Sequence, residues 1–153
     1  MPARKLKEFL DRHGVPYISV PHATAYTAQD VAASAHLSGK AVAKTIIVEV
    51  EGKMAMAVLP ANRKVILEDL REVTGSDCVR FAAEAEFQSL FPDCETGAMP
   101  PFGNLYGMDV YVAEALLANK EIAFNAGSHN ELIKMACHDF EHLVHPKVVS
   151  FTT

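Results

Sequence analysis

Cysteine is scarce and scattered in this chain. Cys78, Cys94 and Cys137 are the only three among 153 residues, and no Cys-x-x-Cys pair occurs, so neither a disulfide framework nor a zinc knuckle is suggested and the thiols are expected to be reduced. Long apolar runs are also missing. None approaches the ~18 to 20 residues that a membrane span needs, and Met1-Pro-Ala-Arg-Lys-Leu-Lys-Glu-Phe-Leu10 alternates charge with apolar residues where a signal peptide would carry an apolar core. The sequence therefore predicts a cytoplasmic protein without a membrane partner. Positive charge is in deficit, 14 Lys and Arg against 19 Asp and Glu for a formal net charge of -5. That balance argues against a DNA-binding protein, or any protein that holds nucleic acid by bulk electrostatics, so an RNA partner would have to be gripped locally.

Two motif classes are absent. No Gly-x-Gly-x-x-Gly follows a strand pattern, which removes the dinucleotide-binding reading. No Gly-x-Ser-x-Gly elbow occurs and no cysteine lies in a nucleophile motif, so covalent catalysis is unsupported. Repeats, low-complexity stretches and Gly/Ser or charged linkers are lacking too, and residues 1–153 read as one domain.

What the chain does have is the composition of a globular protein, 50% hydrophobic and 22% charged, enough for a sizeable core. Leu6, Phe9 and Leu10 fall on one face of a helix over residues 3–13 that Gly14 stops, and Val15 to Val20 reads as a short strand. Thr27-Ala-Gln-Asp30 resembles a capping box for a helix to Leu37. Val42 to Val50 and Met54 to Leu59, separated by Glu51-Gly52, form a β-hairpin signal. A helix over Glu68 to Thr74, a strand over Val79 to Phe81 and a helix over Ala83 to Leu90 follow. Asp109 to Ala113 and Glu121 to Ala126 read as strands joined by a helical turn. Ser128-His-Asn-Glu131 reads as a second capping box, opening a last helix in which Leu132, Ala136, Phe140 and Leu143 share a face and Pro146 ends the run. The fold class expected is mixed α/β or α+β, a sheet with at least one hairpin, flanked by helices.

Four places could carry chemistry. Lys44 sits in a strand that is otherwise apolar; it is either a strand-end lysine that snorkels to water or an ammonium aimed into a pocket, holding a phosphate, a carboxylate or an ester carbonyl. Gly97-Ala-Met-Pro-Pro101-Phe-Gly103 mixes stiff and permissive backbone, as an ordinary turn does and as a loop presenting N–H groups to a ligand does. At Asn125-Ala-Gly127-Ser128-His129, Ser128 is placed to cap the expected helix, and the same junction would suit an anion beside His129. His138-Asp-Phe-Glu141-His142 matches the His-x-x-Glu-His of inverted zinc proteases. Those proteases draw a third ligand from far downstream, whereas eleven residues follow here, so a solvated polar helix face is the better reading and neither metal nor cofactor is expected.

Three of these segments, taken in order, resemble the YbaK and prolyl-tRNA-synthetase-associated editing domain family. The resemblance rests on Val42-Ala-Lys44-Thr45 with its apolar tail, the Gly97-x-x-x-Pro101 loop ending in Gly103, and the Gly127-Ser128 turn, and it covers nearly the whole chain. It implies a curved mixed sheet flanked by helices and hydrolysis of the ester between an amino acid and the 3′-terminal adenosine of tRNA. By that likeness Lys44 is the key lysine and Thr45 stands beside it in the pocket. Gly97, Ala98, Met99 and Pro101 supply substrate contacts, and Gly127, Ser128 and His129 form the opposite wall. His22 and Tyr26 flank the amino acid or the terminal adenine. Family members clear alanyl, cysteinyl, seryl or threonyl esters, mostly from proline tRNA.

An aminoacyl ester is already activated, so orienting water and stabilising charge on the carbonyl oxygen suffice. The expected mechanism has Lys44 and loop N–H groups fix the scissile end, and water attack with help from either the neighbouring ribose hydroxyl or His129. Aminoacyl-tRNA is the expected partner, with a synthetase as a further one. The competing reading from another class is a non-catalytic module that binds an aminoacyl or nucleotide ligand beside a synthetase.

Overall fold

The structure is a computed structural model that describes residues 4–23, 25, 27–35 and 37–153. Its centre is the hairpin of β2 (Val42–Val50) and β3 (Lys53–Pro60), closed by Glu51 and Gly52 at φ 54 and φ 80. Positive φ at both central positions is the turn whose twist matches that of paired strands. Along β3, Met56 and Val58 enter one core cluster while Ala55, Ala57 and Leu59 enter another. Side chains alternate across a strand, so an unbroken apolar run of this length marks burial on both faces.

Six further strands complete an eight-stranded mixed sheet: β1 (Tyr17–Pro21), β4 (Val79–Phe81), β5 (Asp109–Ala113), β6 (Glu121–Asn125), β7 (Glu131–Ala136) and β8 (Lys147–Val149). The order is β1-β7-β6-β2-β3-β5-β8, with β4 paired to β2 off that path. Pairings of β2 with β6, β3 with β5 and β5 with β8 are parallel; the others are antiparallel. The mixed α+β class expected from the sequence is the class observed.

Helices cover both faces. On one, α1 (Arg4–Arg12) and α5 (Cys137–Val144) contribute Leu6, Leu10, Phe140 and Val144 to the core that holds Ile47, Met56 and Phe102. On the other, α3 (Leu67–Thr74) contributes Leu70, which joins Val48, Tyr111 and Phe151. The short α2 (Ala28–Ser34) buries Val31 and Ala32 against Val42 and Leu132, and Thr27 caps it by accepting the Asp30 N–H at 3.0 Å, as its sequence indicates. Between β4 and β5, α4 (Glu84–Phe87) runs on into a 3₁₀ turn over Gln88–Leu90. Among the described residues no helix is long and apolar enough to cross a membrane.

One expected element is different. Residues 131–136 form β7, not the first turns of a helix, and the helix begins only at Cys137. The spacing of Leu132, Ala136 and Phe140 suits a helix, but Leu132 faces one core and Ile133 and Met135 the other. That alternation, realised by antiparallel partners on both sides (β1 and β6), wins over a helical periodicity that only local residues support. Ser128 is accordingly no helix cap, and no helix N-terminus stands at Gly127; the Gly127–Asn130 stretch is the turn of a β-hairpin, with Gly127 at φ 98. A short β8 follows α5 where the sequence reading has none.

The feature that positions the site is an interruption in strand pairing. On one edge β2 meets β6 only at Val42 and Ala43, and meets β4 only from Val48 onward. Over residues 44–47 its sole strand partner among the described residues is β3. A strand edge without a neighbour presents its N–H and C=O groups to whatever fills the gap.

Packing behind this gap is tight at Gly103, where an added Cβ would stand 2.6 Å from the Met108 carbonyl oxygen and 2.7 Å from Val110 Cγ2. Backbone cannot retreat as a side chain can, so Gly103→Ala should cost about 1 to 3 kcal/mol through overpacking. At roughly 2 to 4 °C per kcal/mol for a chain of this size, thermal unfolding should show the midpoint fall by several degrees. An unchanged midpoint would show that the loop re-forms freely around the methyl group.

Candidate functional site

A cavity of about 430 Å³ opens in the β2 gap, lined by Ala43 to Ile47, by Phe81, Ala82, Glu84 and Phe87, and by Gly97, Met99 and Asn125. Its floor is the stretch of β2 that has a strand neighbour on one edge only, and its walls come from the segment after β4, from the Gly97 loop and from the end of β6. Arg80 clamps the β4 wall, because its guanidinium donates to both Glu49 of β2 and Glu86 of α4. The pairing with Arg80, and then the Ala83 N–H, holds the Glu86 carboxyl down to about 2.

Lys44 lies at the near end of the gap and is half-buried. Nζ donates to the Ala61 carbonyl at 3.4 Å, a long bond that leaves two N–H donors of the ammonium for other partners. Burial first, and the like charge of Lys64 second, hold this ammonium below the ordinary lysine range. Both effects penalise the charged form. Cys94 and Cys137 are shifted the other way, each pushed up to about 11 with burial as the leading cause, so neither thiol supplies a thiolate near neutrality.

The opposite wall is a short zipper. Glu95 N–H donates to the Gly127 carbonyl at 2.7 Å, Gly127 N–H to the Ala98 carbonyl at 2.9 Å and His129 N–H to the Glu95 carboxylate at 3.2 Å. His129 Nε2 is 2.9 Å from the Thr96 carbonyl oxygen; a carbonyl only accepts, so Nε2 carries the proton. The left-handed φ of 87 at Gly97 brings that residue against the imidazole, and a Cβ there would sit 3.5 Å from His129 Cε1. Sequence-distant segments, the Gly97 loop and the β6–β7 turn, are thereby held as one unit.

Comparison with known proteins bears on this geometry. Residues 22–143 match the family model described as an aminoacyl-tRNA editing domain. The chain belongs to this family. A relative in Escherichia coli K12, described as the multifunctional Ser/Thr-tRNA deacylase ProXp-y, is 30% identical over 115 residues, which is 71% of this chain and 68% of that protein. Among solved structures, one described as a candidate trans-editing enzyme for prolyl tRNA synthetase superposes with a TM-score of 0.84 at 19% identity, over 99% of this chain and 97% of that one. A hypothetical protein superposes with a TM-score of 0.87 at 21% identity, over 98% and 100%.

Within this editing domain, Lys44, Thr45, Gly97 and Met99 come together on the cavity as their sequence positions suggest. Ala98 and Gly127 are buried behind it in the zipper, and Pro101 is buried beyond the loop's contact with the cavity. Ser128 and His129 are buried in the β6–β7 turn, with the Ser128 hydroxyl donating to Asn130 Oδ1 at 2.8 Å. His22 is tied to that turn through its N–H, which donates to the Asn130 carbonyl at 3.0 Å; it does not line the cavity. Tyr26 lies outside the described residues. The His138–His142 pattern sits on α5, on the other side of the core, and no group of three or more metal-binding side chains is gathered among the described residues.

Asn125 and Glu84 line the cavity without having stood out in the sequence. Asn125 ends an apolar strand run, and its Oδ1 is buried with no hydrogen-bond partner among the described residues. A buried acceptor of that kind costs free energy until a donor arrives. Glu84 reads as the ordinary acidic residue of a helix start, and only the fold turns it toward the gap. The coupling of Lys44 to Lys64 is directly measurable: in an NMR titration followed at the Lys44 side chain, its midpoint should fall below those of the exposed lysines and rise in Lys64→Gln. A Lys44 midpoint at the ordinary value in both proteins would contradict the electrostatic description.

Proposed function

We propose that this editing domain is an aminoacyl-tRNA deacylase that clears a small amino acid, alanine, cysteine, serine or threonine, from a mischarged tRNA, with proline tRNA as the first candidate. The single observation that carries the reading is the half-buried ammonium of Lys44 at the mouth of a cavity formed where a strand has lost its neighbour. An ester placed there would lay its carbonyl oxygen near a fixed cation and near exposed strand N–H groups. These are the donors a tetrahedral intermediate needs.

In the proposed reaction water adds to the carbonyl carbon, and the negative charge that grows on the carbonyl oxygen is taken up by Lys44. The bond from carbon to the ribose oxygen then breaks, and the departing oxygen receives the proton given up by the attacking water, relayed through the adjacent ribose hydroxyl, to become the terminal hydroxyl. No protein nucleophile is required, in keeping with two thiols whose pKa is raised. Because the Nε2 proton of His129 is committed to Thr96, we assign His129 the positioning of the Gly97 loop and assign assistance of the attacking water to the adjacent ribose hydroxyl. The α-ammonium of the amino acid finds acceptors in Glu84 and in the orphaned oxygen of Asn125.

The relative's description as a Ser/Thr-tRNA deacylase supports placing serine and threonine in the substrate range. Discrimination by size also explains why such an enzyme is needed: apolar synthetase pockets separate neighbours by only about 1 to 3 kcal/mol, and a second, smaller sieve supplies the rest. With a net charge of -5 the domain gains little from bulk attraction to RNA, and a synthetase that presents the acceptor end is the further partner proposed.

Incubation with a panel of mischarged tRNAs should show catalytic loss of label from at least one of the small amino acids, whereas a binding module would only retain or protect it. Lys44→Ala should lower kcat/KM by about 10²-fold or more with unchanged circular dichroism. Undiminished deacylation by that variant would remove Lys44 from the reaction.

A further inference from the structure

Among the described residues Lys44 also lines a second cavity. The second, about 290 Å³, shares only Lys44 with the first and is otherwise lined by Thr27, Gln29, Ala61, Asn62, Arg63 and Lys64. Three of its seven lining residues are cations and none is a carboxylate, in a chain where acids outnumber bases 19 to 14. The remaining polar groups, a hydroxyl and two amides, can all donate.

This concentration of charge is held in place by the main chain. Lys64 N–H donates to Thr153 Oγ1 at 3.2 Å and Thr153 N–H donates back to the Lys64 carbonyl at 3.0 Å, while Val65 bridges to Thr152. Arg63 Nη1 donates to the main-chain oxygen of Thr153 at 2.6 Å, which uses one of the five guanidinium N–H groups and orients the rest. Like charges fixed together repel, and Lys44 already feels Lys64. An anion seated between them offsets that repulsion; water does so only in part.

We propose that this second cavity is a phosphate subsite, which takes the phosphodiester on the 5′ side of the esterified nucleotide while the ester itself lies at Lys44. The assignment rests on the deacylase reading above. In the terminal nucleotide of an aminoacyl-tRNA the amino acid hangs from one side of a ribose and the phosphodiester from the other. Two cavities joined at a single lysine match two groups joined by a single sugar. The first, with its apolar walls and lone carboxylate, suits the amino acid, and the second suits the anion. The same division accounts for local RNA affinity in a chain of net negative charge, since one or two phosphates meet cations while the rest of the surface contributes nothing.

The test compares alanyl and seryl esters of adenosine 5′-monophosphate with the same esters of adenosine. Wild-type protein should show kcat/KM about tenfold higher on the phosphorylated ester, mostly through KM, as a charge-assisted contact gives. In Lys64→Gln the ratio between the two esters should fall towards one, while Lys120→Gln, the same charge change at an exposed site away from both cavities, should keep the wild-type ratio. Equal rates on the two esters in wild type, or a ratio that survives in Lys64→Gln, would overturn the subsite and leave the deacylase reading standing. Turnover of neither ester, nor of any mischarged tRNA, would overturn both.

Discussion

Everything in the site depends on β2 running for four residues without a neighbour on one edge. A continuous ladder there would bury Ala43 to Ile47 under backbone and leave no cavity. Instead β6 departs after Ala43 and β4 arrives only at Val48, and the space between is walled by side chains and a loop. The arrangement is costly for a sheet, because edge groups lose ladder partners. It is sustained by the two long-range fastenings on either side. Arg80 ties the β4 wall to β2, and the hydrogen bonds from Glu95, Gly127 and His129 tie the Gly97 loop to the β6–β7 turn.

Within that gap the lysine is in electrostatic tension. Its ammonium is partly stripped of water and stands near a second cation, so the charged form is less favoured than on an open surface, and any arriving negative charge is correspondingly welcome. A carbonyl oxygen acquires such charge only as water attacks it. A group that interacts more strongly with the transition state than with the ground state is what lowers a barrier. Asn125 differs in kind: its buried oxygen without a donor favours a substrate that brings one, which is binding and not selective stabilisation of the transition state.

Much of this was legible in the sequence because the relevant signals are local. The Glu51-Gly52 turn and the Thr27 cap each follow from the conformational preference of one or two residues, and the structure carries both. Lys44 stands out in the sequence as a charge in an apolar strand, Thr45, Gly97 and Met99 enter as site residues through the family resemblance, and all four line the cavity. The last helix was not legible in the same way. Leu132 and Ile133 belong to opposite faces of a strand whose partners, β1 and β6, lie far away or in the preceding hairpin arm, and a helical spacing of apolar residues masks that. Glu84, Asn125 and the Arg63–Lys64 pair escaped for a related reason: each is unremarkable among its sequence neighbours, and only the parting of β6 from β4 or the return of the chain at Thr152 and Thr153 gives it a role. Pairing over long separations, more than propensity, decides those positions.

The central claim is that the break in β2 pairing holds an aminoacyl ester with its carbonyl at Lys44. The most direct measurement is a crystal structure with a non-hydrolysable aminoacyl-adenosine, in which an amide replaces the ester. The account predicts the amino acid between Ile47, Phe87 and Met99, with its carbonyl oxygen within hydrogen-bonding distance of Lys44 Nζ. An analogue bound elsewhere, or bound in the cavity with its carbonyl turned away from Lys44, would contradict it.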